Sequence, residues 1–487
     1  MYAVPRVRRS WLICGLAICI SLLLAACGGD DGDSGGNTGD SKVNASNWTL
    51  KSAAAPYKGT EIRVLDEVTG LQPAMKELIP DFEKETGIKV SFELEPHPDV
   101  IRKGEADLIS GRGAYDAVMI HVAQKGRVLA ADAVQFIDDY YDNEALRDPD
   151  VKFEDFIQPL TDNATKFGDN RLGFPNWNYN VVWWGRQDLM DDPGEQAAFK
   201  KEFGRDLEVP KTLQEVRDFA KFFTRSKGEK LAGKTVERDF PGFVMEGSQL
   251  SAATETLDPI YLRQFGGGLW DEDGKPAATS PGNVEAMKLW AEMWKYGPAG
   301  QAEMSLIDIP VVMGEGGAAS GWIWSDFIFP IDVEGGSQYA GKFVYGGAQP
   351  NGEDPETRST SAQPGTLVIG AGSKNKEATY LFLQWMASKE TQDRWVESGA
   401  FMPVRKDTLE SPAVTDGPRA NLYAAVKESL AHGTPWPAGL KLYELFDAVN
   451  RMQQAVGQGK ASPEDGLASL QSDMEEICGD SCLLPQE

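Results

Sequence analysis

From Lys58 onward, strand-like and helix-like patterns alternate, and no other feature limits the possible folds as strongly. Glu61-Ile-Arg-Val-Leu65 is a short β-rich run. Met75, Leu78, Ile79 and Phe82 then fall at i, i+3, i+4 and i+7, one face of a helix that Gly87 ends. Ile88 to Leu94 alternates apolar and polar as a strand, a weaker helical stretch follows, and Ala117-Val-Met-Ile120 is a third strand. A β-α-β-α-β order predicts a mainly parallel sheet with helices on both faces. Ligands of such sheets bind beyond the carboxyl ends of the strands. The loops Asp66–Gly70, Glu95–Asp99 and His121–Lys125 are therefore the ones to watch.

After a polar stretch over 140–172 comes Gly173-Phe-Pro-Asn-Trp-Asn-Tyr-Asn-Val-Val-Trp-Trp184, a strand-like aromatic run suited to crossing between two lobes. A second α/β pattern follows. Thr212 and Glu215 form a capping box ahead of Val216, Phe219, Ala220 and Phe223. Ser280-Pro281 opens a helix, Gly266 to Gly274 predicts a small hairpin, and Thr366-Leu-Val-Ile369 is a strand. Asn375 caps a helix carrying Leu381, Phe382 and Trp385, and Ser462-Pro463 starts another with Leu467, Leu470, Met474 and Ile477 inward. No internal repeat is present.

The first residues have a different logic. Arg6, Arg8 and Arg9 precede an apolar run from Trp11 to Leu24, too short and too soon followed by polar sequence to be a stable span. Leu24-Ala25-Ala26-Cys27 resembles the bacterial lipobox, which implies removal of residues 1–26 and a lipid on Cys27. Residues 27–56, rich in Gly, Asp, Ser and Asn, read as a tether. A coil of that length reaches on the order of 30 Å. The formal charge of −26, made more negative by losing three Arg with the signal, argues against nucleic acid and anionic lipid surfaces as partners. Cys478 and Cys482 remain as a close pair, most simply a disulfide outside the reducing cytoplasm.

Motifs of catalysis and of cofactor or metal binding are not apparent. The three His (His97, His121, His432) show no metal-ligand spacing, and no nucleophile elbow, Walker loop or dinucleotide fingerprint occurs. The expectation is no metal, no cofactor and no enzyme. With 74 carboxylates, counting acid pairs cannot exclude a two-carboxylate hydrolase.

Several segments in order resemble the bacterial extracellular solute-binding proteins of ABC importers, in the carbohydrate-binding group that includes maltose-binding protein. They are Pro80-Asp-Phe-Glu-Lys-Glu-Thr-Gly-Ile-Lys-Val90, Ala114-Tyr-Asp-Ala-Val-Met-Ile120, Gly317-Ala-Ala-Ser-Gly-Trp-Ile-Trp-Ser-Asp326, and Ser373 through Trp385. The resemblance spans about Tyr57 to Asp473, departing from the family pattern where Trp184-Gly185 precede Leu189 and in extra sequence over 185–245. It implies a two-lobe periplasmic-binding-protein fold (type II-like), with three hinge crossings and a ligand cleft between lobes. Lobe one would be 57–172 plus 365–410, and lobe two 180–355 plus 412–487.

The resemblance also implies capture of a sugar, oligosaccharide or polyol and its delivery to ABC permease transmembrane subunits. The protein would be an extracytoplasmic, lipid-anchored monomer. A glycan-acting exported hydrolase and a ligand-sensing envelope lipoprotein are the alternatives. Sugars present a C–H face and a rim of hydroxyls, so aromatic platforms and planar polar groups are the expected contacts. On that basis the candidates are Thr69, Gly70, His121, Gln124, Asn176, Trp177, Asn178, Glu255, Trp322, Trp324, Asp326, Trp436 and Phe446.

Overall fold

The computed structural model describes residues 44, 46–158, 160–248, 253–352, 354–434, 436–479 and 483. The expected signal, Cys27 and most of the expected tether, as well as Cys482, lie outside the described residues. All described residues belong to one unit, Val43–Glu487. Its first helix, α1 (Leu50–Ala54), begins inside the segment expected to be a tether. The reason is local. Thr49 and Ser52 cap each other reciprocally, and Leu50, Ala53 and Ala54 are buried against neighbouring helices. Ordered structure therefore begins by Thr49, inside the segment 27–56 expected to be a tether.

The expected alternation is present: β1 (Glu61–Glu67), α2 (Gln72–Thr86), β2 (Lys89–Glu95), α3 (His97–Ser110), β3 (Ala117–Ile120) and α4 (Val122–Ala130). β1 pairs in parallel with both β2 and β3. Parallelism stops there. The long strand β4 (Gly173–Arg186), then β5 (Ser320–Trp324), β6 (Phe343–Gly346) and β7 (Thr360–Gly370) complete one continuous sheet in the order β5-β4-β7-β3-β1-β2, with β6 on the other side of β4. β7 runs antiparallel to β3 and to β4, and β5 and β6 run antiparallel to β4.

β4 joins the two halves of this sheet. Its residues 173–180 pair with β7, and its residues 181–186 pair with β5 and β6. Every one of its fourteen residues is buried. At about 3.3 Å per residue such a strand reaches roughly 45 Å, enough to serve both lobes. Beside it, β7 shifts register between Pro364 and Thr366, and Pro364 sits opposite Asn178. Proline in a sheet interior is tolerated at such an irregularity because no ladder hydrogen bond is required of it there.

Around this sheet lie α5 (Leu213–Phe223), α6 (Pro281–Trp294), α7 (Lys376–Met386), α8 (Leu442–Gly457) and α9 (Pro463–Cys478). Thr212 caps α5 by accepting from the Glu215 amide, and Ser280 and Ser462 cap α6 and α9. α8 and α9 pack on each other and on α6. The extra sequence over 185–245 covers the sheet with aromatic side chains, as where Trp183 meets Phe219 edge-on at 5.1 Å. Cys478 is disulfide-bonded.

β7 passes so close to Gly173 of β4 that a Cβ there would sit 2.0 Å from the Leu367 carbonyl oxygen. Gly173→Ala should destabilise the protein by at least about 1–3 kcal/mol, as overpacking does. Gly300→Ala, which meets nothing within 4 Å, should cost less than the core substitution. Chemical denaturation of the two variants beside the wild type checks this.

Candidate functional site

The three loops at the carboxyl ends of β1, β2 and β3 each contribute one residue to a single cluster. Glu67 ends β1, His97 opens α3 after β2, and His121 follows β3. His121 Nε2 lies 2.7 Å from Glu67 Oε2, and His97 Nδ1 lies 3.1 Å from Glu67 Oε1. His121 Nδ1 is 3.2 Å from the Tyr179 hydroxyl, which β4 supplies, and the two imidazole rings meet edge-on at 4.8 Å.

Lining the same cavity as this cluster are Glu255, Leu306, Trp324, Asp326 and Phe327, from a later part of the chain, together with Trp177 and Tyr179 of β4. Together they enclose a cavity of about 30 Å³. At 10–15 Å³ per water site, that is space for roughly two or three waters. A smaller void adjoins it through Leu306 and Trp324, lined by Met245, Glu246 and Trp322 among others. The opposing walls touch at Gly70, where a Cβ would meet Pro330 Cδ at 2.7 Å and the Asp326 carbonyl oxygen at 2.9 Å. The structure therefore shows the cleft with its walls together.

Strand alternation decides which aromatic-run residues reach the cavity. Trp177 and Tyr179 point into it, their rings 5.3 Å apart, and Tyr179 also contacts Trp324 at 5.5 Å. The amides expected beside them do structural work instead. Asn176 Nδ2 donates to Asp66 Oδ2 at 2.7 Å, and Asn178 Nδ2 donates to the Pro403 carbonyl at 2.6 Å, tying β4 to the returning chain. Thr69 donates its hydroxyl hydrogen to Gln72 Oε1, a local turn. Gln124 Oε1 accepts from the His121 amide at the start of α4 and so positions the imidazole from behind.

Of the expected tryptophans, Trp324 lines the cavity and donates to Glu246 Oε1 at 3.0 Å. Trp322, two residues earlier on the same strand face, borders the smaller void and donates to the Tyr261 hydroxyl. Trp436 and Phe446 lie outside both linings. Trp436 packs edge-on against Trp270 at 5.8 Å and Phe446 at 5.0 Å, a core cluster that its two flanking prolines disguise as a loop. Glu255 and Asp326 are in place. Glu67, His97, Tyr179 and Glu246 are the residues that sequence reasoning missed. Tyr179 was recoverable from the period-two pattern, because it must share a face with Trp177.

The charge balance is one-sided. Burial pushes Asp326 up to about 8, with Glu67 adding to it. Burial also pushes Glu255 to about 7, His97 partly opposing and Glu246 and Glu67 adding to it. Asp66 is likewise raised by burial to about 7. Glu67 goes the other way. Burial would raise it, but the His97 and His121 imidazoles together outweigh that and hold it low. Against its own burial, His97 is raised to about 9 by Glu67, whereas burial wins at His121, whose value is lowered. Lys125 is turned away, its Nζ donating to the Asn163 carbonyl at 2.7 Å. No Lys or Arg is among the described lining residues.

The chain matches the family model described as bacterial extracellular solute-binding protein over residues 77–421. It is 24% identical over 411 residues to the erythritol/L-threitol-binding protein of Mycolicibacterium smegmatis, covering 81% of this chain and 80% of that one. A probable amino-acid ABC transporter periplasmic-binding protein of Sinorhizobium fredii is 22% identical, covering 86% and 90%. Among solved structures, a solute-binding protein from Agrobacterium radiobacter K84 in complex with ribitol superposes with a TM-score of 0.72 at 22% identity, covering 86% of this chain and 99% of that one. Maltose-bound MalE3 of T. maritima gives 0.68 at 17% identity, covering 86% and 100%.

Because Asp326 keeps a proton in the folded protein that the unfolded chain releases above about pH 4, rising pH should cost stability from about pH 4 up to about 8. Asp326→Asn removes that cost. The Tm gain of the variant should be small at pH 4.5 and larger at pH 8, read by thermal denaturation at both.

Proposed function

The chain belongs to the bacterial extracellular solute-binding proteins, and on that premise we propose that it captures a polyol or small sugar and delivers it to an ABC permease. The observation that carries this reading is the pairing of aromatic faces with carboxylates in one enclosed space. Trp177, Tyr179 and Trp324 offer ring surface for C–H groups, while Glu67, Glu255 and Asp326 offer acceptors for hydroxyl hydrogens. Sequence similarity to a relative named for erythritol and L-threitol, and fold similarity to a ribitol complex, support the same class.

An amino acid, suggested by the name of the second relative, suits this lining poorly. A buried α-carboxylate needs a countercharge. The described lining offers only His97, and Glu67 already engages it. The same argument disfavours anionic solutes generally.

Delivery requires an open and a closed form, and ligand stabilises the closed one because only that form contacts it from both sides. We assign the lobes as 57–172 plus 365–410 and 180–355 plus 412–487, extending the first to include α1. Opening then bends β4 near residue 180, where its pairing changes from β7 to β5 and β6, and β7 near Pro364. Closed walls around about 30 Å³ imply that a polyol enters the open form and that the lobes settle slightly wider around it. The protein acts outside the cytoplasm. A lipid on Cys27, with the segment up to Thr49 as a tether, would keep it near its permease and raise the local concentration.

A thermal-shift screen with tetritols, pentitols, hexitols and amino acids tests the reading. The right ligand at 100 times its Kd should add about 2.7 kcal/mol. Trp324→Ala should weaken binding by roughly 10- to 100-fold, as loss of a buried aromatic anchor does. Trp436→Ala should leave affinity unchanged in the molecules that fold. A response to amino acids but to no polyol or sugar would sink the proposal.

A further inference from the structure

Glu67, His97 and His121 have a spatial relation that their sequence separation conceals. Glu67 is 30 residues from His97 and 54 from His121, yet one ligand-capable atom from each lies within 4.8 Å of the others. Two imidazole nitrogens and one carboxylate, converging from three βα loops, match the donor set that first-row divalent ions take. An ion bound at roughly 2.1 Å from each donor holds them about 3–3.5 Å apart. Both nitrogens already lie near one oxygen, Glu67 Oε2, at 3.2 and 2.7 Å, and an ion would draw the donor atoms, now within 4.8 Å of one another, closer together.

The surroundings complete the pattern. His121 Nδ1 faces the Tyr179 hydroxyl, the outer contact that orients a metal-bound imidazole and leaves Nε2 for the ion. Across the cavity, Asp326 is 1% exposed and its Oδ1 has no hydrogen-bond partner. Glu255 lines the same cavity, and no Lys or Arg is in the described lining. The unpartnered Asp326 oxygen and the lack of a competing Lys or Arg make this lining hospitable to a cation beside the three donors.

We propose that Glu67, His97 and His121 bind a divalent first-row transition-metal ion, and that its open coordination positions face the cavity and take two neighbouring hydroxyls of the captured ligand. Binding displaces the protons now shared between the imidazoles and Glu67, so affinity rises with pH until both imidazoles are neutral. Three protein ligands leave positions open for such a chelate, whereas oxygen-preferring Mg²⁺ and Ca²⁺ suit the nitrogen donors badly. The hydroxyl step rests on the polyol reading; the metal step does not.

Zinc chloride titrated by calorimetry into the chelator-stripped full protein, without polyol, tests the metal step. One ion per chain is expected. Glu67→Gln and His121→Ala, each checked for folding by circular dichroism, should weaken it by more than roughly 100-fold, since even outer contacts of metal sites are worth 10- to 100-fold. Zinc binding that is absent, or equal in folded variants and wild type, overturns the site and leaves the polyol proposal standing. Ribitol and erythritol are then titrated into zinc-loaded and zinc-free protein. Tighter binding of either to the loaded form supports coordination; equal binding to both forms overturns it. A zinc site with no response to any polyol or sugar supports the metal centre and contradicts the polyol reading.

Discussion

One buried strand holds the architecture together. β4 is shared between the two halves of the sheet, so each half completes its own hydrogen-bond ladder only by pairing with a different end of the same fourteen residues. This ties the halves together, and the ladder partner changes near residue 180, where we place the hinge. Pro364 marks the same level on β7, where the register already shifts. The cavity lies at this level because Trp177 and Tyr179 occupy β4 just before the change. The proposed hinge and the proposed ligand platform are thus neighbouring stretches of one strand.

Electrostatics give the cleft its character. One side contributes Glu67 held low by two imidazoles, and the other contributes Glu255 and Asp326 held high by burial. Asp326 Oδ1 is buried without a hydrogen-bond partner, and an unmet acceptor of that kind disfavours the empty closed form. On the proposed reading, ligand hydroxyls supply what is missing. The energetic difference between empty and filled closed forms, rather than a change in fold, is what a solute-binding protein requires.

Much of the fold was legible in the sequence because it rests on periodicity. The β1-to-β3 alternation, the caps at Thr212, Ser280 and Ser462, and the crossing strand all follow from local patterns. The antiparallel pairing of β7 was not legible, since strand direction depends on where the chain returns from. The start at α1 was hidden by small residues that resemble a linker until they are buried. In the site, Trp324, Asp326 and Glu255 could be placed through the family resemblance. Treating Asn176-Trp177-Asn178 as one contact group ignored the alternation that turns both amides out of the cavity. The strand order marked the loops that carry Glu67 and His97, but nothing local distinguishes one carboxylate among 74 or one partly exposed His within them; only the sheet brings the two side chains together.

The central claim is that the closed cleft selects a neutral, hydroxyl-rich solute through aromatic faces and carboxylates. Mass spectrometry of the small molecules released by denaturing protein purified from its native host tests this most directly. The account predicts a neutral polyol or small sugar at close to one molecule per chain. A free amino acid or an anionic solute released at that stoichiometry would contradict it.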